Sequence, residues 1–297
     1  MLTRPLGRSG LDVSVLGLGA GHLDTADLAD RDAEALLDHA LALGVTFVDT
    51  ARGYGASEER LGRWLPAHRE QVVVSTKVGY DVPGHDDWTA GAVTGGVERA
   101  LRMLRTDVID VVFLHSCPLE VLVRGEVVDA LLACRDAGTV RLPGYSGEND
   151  ELAWAARAGV FDVLQTSVNL ADQRSTREVL PGAARRGLGG IAKRPIANAA
   201  WRHAERPVGA YGETYWERLR AMGLTPEADD WAGTAIRFAA FSPGVDTAIL
   251  GTSRRDNLSA AAAAVGRGPL PAGERSRWDA AFDARAREAP GDWLGDV

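Results

Sequence analysis

The sequence predicts an α/β protein with the (β/α)8 architecture known as the TIM barrel. Three observations predict it: short runs rich in β-branched residues, amphipathic Ala- and Leu-rich stretches between them, and eight repeats of this alternation within 297 residues. Strands that alternate with helices form a parallel sheet, because each helix returns the chain to the same edge. A chain of this length commonly closes eight such units into one barrel. We therefore expect residues 1–297 to form one domain.

The eight predicted strands are short apolar segments with turn residues on either side. This pattern is typical of strands that are buried on both faces of a parallel sheet. In such a barrel the carboxyl ends of all the strands meet at one rim, where the active sites of this fold lie. The predicted strands cover residues 13–20, 45–51, 71–78, 108–116, 139–146, 161–169, 189–197 and 245–252.

The predicted helices lie between these strands and show apolar residues at spacings of three and four, often followed by a closing Gly. One of them begins with Thr225 as its cap and Pro226 at the first helical position. The clearest helices cover residues 30–44, 89–104, 126–138 and 225–241, and the alanine run 260–264 belongs to the eighth crossover. A further periodic segment, 274–288, predicts an extra C-terminal helix outside the eight repeats.

Charge and cysteine content narrow the class of protein. The formal net charge is −8, and the sequence has no basic run, so it does not offer the positive surface that nucleic-acid binding requires. Cys117 and Cys134 do not have a metal-ligand spacing, and so few cysteines are typical of a reducing compartment. The N-terminal residues lack the apolar core of a signal peptide, and no stretch resembles a membrane span. We expect a cytoplasmic protein without a metal, a nucleic-acid partner or a membrane partner.

A glycine-rich stretch, GLGAG at residues 17–21, first suggests a dinucleotide-binding fingerprint. His22 occupies the place of the last glycine when the motif is counted from Gly17, and Asp24 occupies it when the motif is counted from Gly19. The spacing therefore excludes this fingerprint. These glycines instead predict a tight turn at the barrel mouth.

Lysine is rare in this sequence. Lys77 and Lys193 are the two lysines among 33 basic residues. An ammonium is a compact charge whose pKa responds to its surroundings, whereas the guanidinium of Arg is a planar fork that stays charged. Both positions are therefore candidates for sites where Arg does not suffice, with chance survival as the alternative.

Four ionisable side chains fall at the predicted rim. Asp49, Lys77 and His115 close the second, third and fourth strands, and Tyr54 follows Asp49 by five residues on the next loop. Adjacent strands lie about 4.8 Å apart, so these side chains come within reach of one another. Each alone has a structural alternative: a helix cap, a loop aromatic or a core histidine. Their convergence at one rim predicts a catalytic site.

The residue types indicate proton transfer to a carbonyl. A free tyrosine has a pKa of about 10 and is a weak acid at neutral pH. A protonated Lys77 nearby would favour the phenolate of Tyr54 and lower that pKa, while Asp49 keeps the ammonium charged. His115 can donate a hydrogen bond to the same substrate oxygen. Together they predict a proton donor for a carbonyl that is receiving electrons.

These segments resemble the aldo-keto reductase family over essentially the whole chain. RPLGRSGLDVSVLGLGA resembles the family's opening, where a short hairpin closes the barrel floor, and FVDTARGYGASEERLG resembles its Asp/Tyr signature. VVVSTKVG and VVFLHS resemble the lysine and histidine segments. The resemblance implies a catalytic tetrad of Asp49, Tyr54, Lys77 and His115, with Tyr54 as the proton donor. It also implies a nicotinamide cofactor that lies extended over the barrel mouth without a Rossmann fold.

The resemblance implies cofactor contacts in four segments. GYSGEN and LQTSVNL place Ser146 and Gln165 at the nicotinamide carboxamide, although Gly147 replaces a common Asn. Lys193 stands where many members have an aromatic ring stacked on the nicotinamide, so we expect it to contact the cofactor or the substrate, with a solvated lysine at the strand end as the alternative. ILGTSRRDNL resembles the segment that holds the adenosine phosphate, which implies NADPH, with NADH also possible. The implied contacts there are Thr252, Ser253, Arg254 and Asn257, with Arg255 as a second candidate for a 2′-phosphate.

The segment 197–222 is the longest interruption of the barrel rhythm and is rich in aromatic residues. Long loops of this kind are commonly lids or binding loops, and the alternative is a satellite helix held by its own aromatics. From this segment we expect Trp201 and Tyr215 to line the substrate pocket. His22 and Trp88, on other rim loops, are further candidates for the pocket wall.

The favoured function is reversible hydride transfer between NADPH and an aldehyde or ketone, with a small carbonyl compound as substrate. One alternative is a lyase or aldolase in which Lys77 or Lys193 forms a Schiff base. Another is a non-catalytic regulatory subunit that binds the nicotinamide cofactor. The substrate, the direction of the reaction and the oligomeric state stay open.

Overall fold

The computed structural model describes residues 1–25 and 27–296 and contains a closed barrel of eight parallel strands. Two short antiparallel strands, β1 (Thr3–Pro5) and β2 (Asp12–Ser14), precede the barrel as a hairpin. The barrel strands are β3 (Leu16–Gly19), β4 (Phe47–Asp49), β5 (Val73–Val78), β6 (Ile109–His115), β7 (Val140–Ser146), β8 (Val163–Ser167), β9 (Gly189–Lys193) and β10 (Thr247–Gly251). Each pairs with its neighbours in chain order, and β10 closes the ring against β3. The predicted (β/α)8 fold is confirmed.

The predicted strand 13–20 is the one that the structure divides. β2 ends at Ser14, and β3 begins at Leu16. The hydroxyl of Ser14 donates to the carbonyl oxygen of Leu16 at 2.6 Å, which supports a bend between the two strands. The single apolar run therefore serves both the hairpin and the first barrel strand. Each of the other seven predicted runs contains one observed strand.

The described part of the chain also contains helices on the outside of the barrel, and none of them is long and apolar enough to cross a membrane. The four clearest predicted helices, the helix that contains the alanine run and the extra C-terminal helix are all present. The helices are α1 (Asp30–Ala42), α2 (Ser57–Trp64), α3 (Ala90–Leu104), α4 (Leu119–Arg124), α5 (Glu126–Asp136), α6 (Asn149–Ala155), α7 (Arg174–Glu178), α8 (Leu180–Arg186), α9 (Glu213–Met222), α10 (Trp231–Ala240), α11 (Arg255–Gly266) and α12 (Ala272–Glu288).

The start of α10 differs from the prediction. Thr225 and Pro226 do not begin the helix; it begins at Trp231. The physical reason is a better cap further along the chain, because the carboxylate of Asp230 accepts the amide hydrogen of Gly233 at 2.9 Å.

The N-terminal hairpin lies against the end of the barrel where the strands begin. Leu6, just after β1, is fully buried and packs with side chains from inside the barrel such as Val111 and Phe113. The guanidinium of Arg4 donates to the carbonyl oxygens of Ala240 and Val245, at 2.8 Å each, next to the start of β10. The hairpin thus closes this end, as the resemblance implied, and leaves the opposite rim as the open mouth.

The apolar core has three parts. One fills the barrel and includes Phe47, Phe113 and Ile249, and a larger one packs the strands against the surrounding helices. The third lies outside the barrel, where α9, α10 and α12 meet the short 3-10 helix Ala197–Arg202. This third cluster holds the long segment 197–222 against α10 and α12.

Candidate active site

The ends of five neighbouring strands place polar side chains around one side of the mouth. Asp49 is the last residue of β4 and pairs in register with Ser75 of β5. His115 ends β6 and pairs with Ser146 of β7, which in turn pairs with Gln165 of β8. Because parallel strands carry their carboxyl ends to the same edge, residues far apart in the chain meet here.

Lys77 and Asp49 form a buried ion pair. The ammonium lies 2.6 Å from Oδ2 of Asp49, and the two side chains are 1% and 2% exposed. The ammonium also donates to the carbonyl oxygen of Thr50 at 2.8 Å. Oδ1 of Asp49 accepts from the hydroxyl of Ser75 at 2.7 Å and from Nε2 of Gln165 at 2.9 Å. A buried pair requires such additional hydrogen bonds, because both charges have lost their water.

The charge on Lys77 is maintained by its surroundings. Burial disfavours the ammonium, but the attraction of Asp49 and then of Tyr54 outweighs burial and raises the pKa of Lys77 above its usual value. The ammonium lies 4.8 Å from the centroid of the Tyr54 ring. The site therefore holds a fixed positive charge beside a phenol.

The loop that carries Tyr54 is fastened at both ends. Ser57 shares a 2.8 Å hydrogen bond with Thr50, and its hydroxyl donates to the carbonyl oxygen of Ala20 at 2.7 Å. Gly55, directly after Tyr54, has a φ of +47°, a conformation that side-chain-bearing residues rarely adopt. These contacts fix where the phenol stands relative to Lys77.

The imidazole of His115 is held neutral between two phenols. Its ring lies 6.3 Å from the Tyr54 ring, at 89°, and stacks on Tyr80 at 5.5 Å and 25°. Burial, followed by the nearby cations Lys77, Lys193 and Arg194, lowers the pKa of His115 to about 2. The hydroxyl of Tyr80 lies 2.8 Å from Nδ1 of His115. Sequence reasoning missed Tyr80, although its place three residues after Lys77 in STKVGYD put it on the same rim.

Two buried polar residues continue the rim beyond His115. The hydroxyl of Ser146 donates to Oε1 of Gln165 at 2.9 Å, and both side chains are inaccessible to solvent. The same Gln165 is bonded to Asp49, so one hydrogen-bond chain links the expected carboxamide site to the ion pair. The structure thus brings Ser146 and Gln165 into contact with the tetrad residues.

Lys193, the second lysine, makes a different contact from the first. Its ammonium lies 3.2 Å from Oε1 of Glu148, a carboxylate that is 2% exposed. Glu148 also accepts from the amide and hydroxyl of Ser167, at 2.9 Å each. Glu148 was missed because no sequence pattern indicates that a residue after β7 contacts the end of β9. Lys193 is therefore the counter-cation of a buried acid, and its expected cofactor contact stays a prediction.

A cleft of about 330 Å³ opens at the end of β10, between the 3-10 helix Ala197–Arg202 and the helices α10 and α11. Its lining combines apolar side chains with a few polar groups, which is typical of a small-molecule site. Within it, the hydroxyl of Thr252 accepts from the amide of Arg254 at 3.1 Å and from Nδ2 of Asn257 at 3.2 Å. Residues that line the cleft include Ile196, Trp201, Arg202, Asp230, Ile236, Leu250, Thr252, Asn257, Ala260 and Ala261.

Small and polar side chains border this cleft. Ala260 and Ala261 line it together with Trp201. Ser253 is half-buried and Arg254 is exposed, next to the cleft. Arg202 also lines the cleft and is a cation that sequence reasoning missed; its position in an aromatic-rich loop beside the mouth was the available signal.

Two of the residues expected in the substrate pocket lie elsewhere. Tyr215 is fully buried in the third core cluster, where its hydroxyl donates to Asp172 at 3.3 Å, so it presents no surface to a ligand. Trp201 lines the cleft beside β10 and stacks on Trp231 at 5.4 Å. Both deviations have one cause: the aromatics of segment 197–222 pack mainly on α10 and α12 rather than over the tetrad.

The other two pocket candidates lie on rim loops. Trp88 packs edge-on against Tyr80, with 5.7 Å between ring centroids. His22 lies in the short 3-10 helix Ala20–Asp24, against Gly251 at the end of β10, and burial lowers its pKa. Trp88 therefore contacts Tyr80, which in turn stacks on His115. His22 borders the mouth on the side of the cleft.

The C-terminal residues lie across the rim near α6. The amide of Gly295 donates to Oδ1 of Asn149 at 2.7 Å, and its carbonyl oxygen accepts from Nδ2 of the same residue at 3.1 Å. Arg218 donates to the carbonyl oxygen of Leu294 at 2.6 Å, and the amide of Asp296 donates to Asp172 at 3.1 Å. The tail is thus attached to the mouth by side chains from three separate elements.

Known proteins share this sequence pattern and this fold. A family model described as the Aldo/keto reductase family matches residues 15–283. The uncharacterized oxidoreductase YqkF of Bacillus subtilis is 27% identical over 288 residues, which cover 88% of this chain and 91% of that protein. D-threo-aldose 1-dehydrogenase of a Pseudomonas species is 28% identical, with 84% and 89% covered. The holo form of aldo-keto reductase AKR11C1 from Bacillus halodurans has a TM-score of 0.82 at 25% identity, with 95% and 96% covered.

The match to the family extends over nearly all of the barrel, from β3 to the C-terminal helix α12. The solved relative has the same fold over almost its full length. The family model, the fold and the relatives named here all indicate an oxidoreductase. None of them indicates a Schiff-base lyase. The chain therefore belongs to the aldo/keto reductase family and is an NAD(P)H-dependent oxidoreductase of that family.

Proposed function

We propose that this protein reduces an aldehyde or ketone, or oxidises the corresponding alcohol, with Tyr54 as the general acid and NADPH as the preferred cofactor. The single observation that carries the proposal is the buried Lys77–Asp49 pair beside the Tyr54 ring, with the neutral imidazole of His115 6.3 Å from the same ring. This is the environment that proton transfer to a developing alkoxide requires.

Each protein group has a separate task in this proposal. The ammonium of Lys77 stabilises negative charge on the oxygen of Tyr54 as its proton leaves, and Asp49 keeps that ammonium charged. His115, being neutral, can donate from its imidazole to the carbonyl oxygen without adding a charge to the site. When bound, the reduced nicotinamide supplies a hydride to the carbonyl carbon.

The cofactor would be held at two places. Ser146 and Gln165 lie at the tetrad side of the mouth, where they would contact the carboxamide. Thr252, Ser253, Arg254 and Asn257 lie at or beside the cleft, where they would contact the adenosine half. Exposed Arg254 favours the phosphorylated nucleotide, because a guanidinium binds a phosphate through two parallel hydrogen bonds. Lys193 is kept as a further candidate contact at the end of β9.

The two lysines do not suit the lyase alternative. A Schiff base forms from a neutral amine, and the pKa of Lys77 is raised by its ion pair with Asp49. Lys193 is likewise paired with Glu148. A borohydride-trapped adduct between either lysine and a carbonyl substrate would contradict the reductase proposal. The complete set of tetrad residues also speaks against a purely regulatory role.

The direct test is a panel of small aldehydes, ketones and aldose sugars, followed by the loss of nicotinamide absorbance. The sugars are included because one relative is named a D-threo-aldose 1-dehydrogenase. We expect Tyr54→Phe to lower kcat by about 10²- to 10⁴-fold, because that variant loses the proton donor. The dissociation constant of NADPH, measured by fluorescence titration, should stay unchanged. Wild-type turnover in Tyr54→Phe would refute the mechanism.

A further inference from the structure

Tyr80 is held beside the catalytic histidine by the loop that follows β5. Its backbone carbonyl accepts from the guanidinium of Arg52 at 3.4 Å, and the same guanidinium pairs with Asp81 at 2.5 Å. Trp88 closes the loop, since its amide donates to the carbonyl oxygen of Gly79 at 2.7 Å. The ring of Tyr80 is therefore fixed between Trp88 and His115.

One direction of the hydrogen bond between Tyr80 and His115 is favoured. A neutral imidazole carries one hydrogen, on either Nδ1 or Nε2, and the hydrogen bond at one nitrogen decides which. Burial and the nearby Tyr54 raise the pKa of Tyr80, so its oxygen keeps its hydrogen at neutral pH. The hydroxyl of Tyr80 lies 2.8 Å from Nδ1 of His115. A bare imidazole nitrogen is a better acceptor than a phenol oxygen, which favours donation by the hydroxyl and an imidazole hydrogen on Nε2.

The surroundings of this contact favour the same arrangement. Three cations lower the pKa of His115 and so oppose a second proton on its ring: Lys77, Lys193 and Arg194. None of them can accept a hydrogen bond. Beside the hydroxyl of Tyr80 lies Gly53, which has no side chain that could accept the phenolic hydrogen instead. Nδ1 of His115 is thus the natural acceptor for that hydroxyl.

We propose that Tyr80 is a positioning residue: its hydroxyl donates to Nδ1 of His115, holds the imidazole as the Nε2–H tautomer, and so makes Nε2 the hydrogen-bond donor to the substrate oxygen. The value of this arrangement to catalysis rests on the proposed carbonyl reduction. With the opposite tautomer, Nε2 would present a lone pair to an oxygen that is gaining negative charge. Tyr80 therefore acts through His115 and need not touch the substrate.

The tautomer can be read directly by NMR on the full-length protein labelled with ¹⁵N-histidine. Long-range ¹H–¹⁵N spectra distinguish a protonated ring nitrogen from a bare one, and the signals of His115 among the six histidines are identified by their loss in His115→Gln. We expect wild type to show Nε2–H alone. Tyr80→Phe keeps the ring but removes the donor, so its spectrum should show a mixture of both tautomers.

Kinetics and a matched variant complete the test. Tyr80→Phe should lower kcat by about five- to tenfold, the effect of one lost hydrogen bond, with the dissociation constant of NADPH unchanged. Trp88→Phe alters the same aromatic group without touching Nδ1, and it should keep the Nε2–H tautomer. An Nδ1–H signal in wild type, or an unaltered tautomer in Tyr80→Phe, would overturn the proposal. The spectra need no substrate, so they decide the role of Tyr80 even if the proposed carbonyl reduction fails.

Discussion

The ammonium of Lys77 lies 2.6 Å from the carboxylate of Asp49, and hardly any of either side chain is exposed to solvent. The pair is more than an electrostatic device for Tyr54, because it also ties β5 to β4 at the mouth. An arginine at position 77 would need more volume than this buried position, enclosed by Asp49 and Thr50, provides. This contact explains why one of the two lysines is a lysine.

Breaking this pair on one side should destabilise the protein. Lys77→Met leaves Asp49 buried without its cation, and we expect the free energy of unfolding in urea to fall by about 3–5 kcal/mol. The double variant Asp49→Asn with Lys77→Met removes both charges and should lose less than the sum of the two single variants. Strict additivity in this cycle would show that the two groups do not interact.

Gly55 should be indispensable for placing Tyr54. Its φ of +47° strains any residue that carries a side chain, and an added Cβ would lie 2.2 Å from the carboxylate of Asp24, which would have to move. We expect Gly55→Ala to lower the free energy of unfolding by about 1–3 kcal/mol and to reduce kcat, because the loop has to shift. Gly53→Ala is the matched control, since its Cβ would meet its nearest atom, the Tyr80 hydroxyl, at 3.4 Å. Equal losses in the two variants would contradict this explanation.

The buried Asp172 should make stability depend on pH. Burial, and then the charge of Glu148, raises its pKa to about 7. The value in an unfolded chain is about 3.9, so the folded state binds this proton more tightly. The resulting stabilisation is complete below about pH 4 and is lost as the pH rises through about 7.

Asp172→Asn tests this dependence, because the amide oxygen can still accept from the backbone of Asp296 but does not titrate. Between pH 4 and 8 the variant should gain roughly 2–4 kcal/mol of stability relative to wild type. The measurement is urea unfolding across that pH range. Asp136→Asn removes a surface carboxylate that is 68% exposed, and its curve should parallel that of wild type. A wild-type slope in Asp172→Asn would show that another group is responsible.

Arg254 should distinguish NADPH from NADH. If its guanidinium binds the 2′-phosphate, Arg254→Gln should raise the dissociation constant of NADPH by about tenfold or more and leave that of NADH unchanged. Arg255→Gln tests the second candidate for this contact, since this neighbouring arginine is also exposed but begins α11. If Arg254 alone binds the phosphate, Arg255→Gln should leave both dissociation constants unchanged. Fluorescence titration with both nucleotides measures the effect. Equal weakening of the two nucleotides would place Arg254 away from the phosphate.

The fold could be predicted because its signal is repeated along the chain. Every crossover shows the same change from a short apolar run to a helical spacing of apolar residues. The predicted strand 13–20 is divided in the structure, but the number of barrel strands is still eight. The meeting of Asp49 and Lys77 was predictable for the same reason: both residues are at or next to the ends of adjacent strands. Contacts that follow from strand order can be read without coordinates.

Contacts that depend on how loops fold back could not be predicted in this way. Tyr80 reaches His115 because Gly79, with a φ of +132°, turns the chain so that Trp88 packs over it. Tyr215 turns inward because α9 packs on α12 in the third core cluster. In both cases the contact depends on the path of a loop. An irregular segment has no regular spacing of apolar residues, so its path cannot be predicted as a helix or a strand can.

The two ends of the described chain lie on opposite faces of the molecule. The first residues join the hairpin beneath the strands, whereas Gly295 and Asp296 are bonded to Asn149 and Asp172, which follow β7 and β8 at the opposite rim. Attachment to a solid support or a fluorescent fusion partner through the N-terminal side would therefore leave the reacting face open to solution. The same attachment on the C-terminal side would crowd the entrance through which reactants exchange.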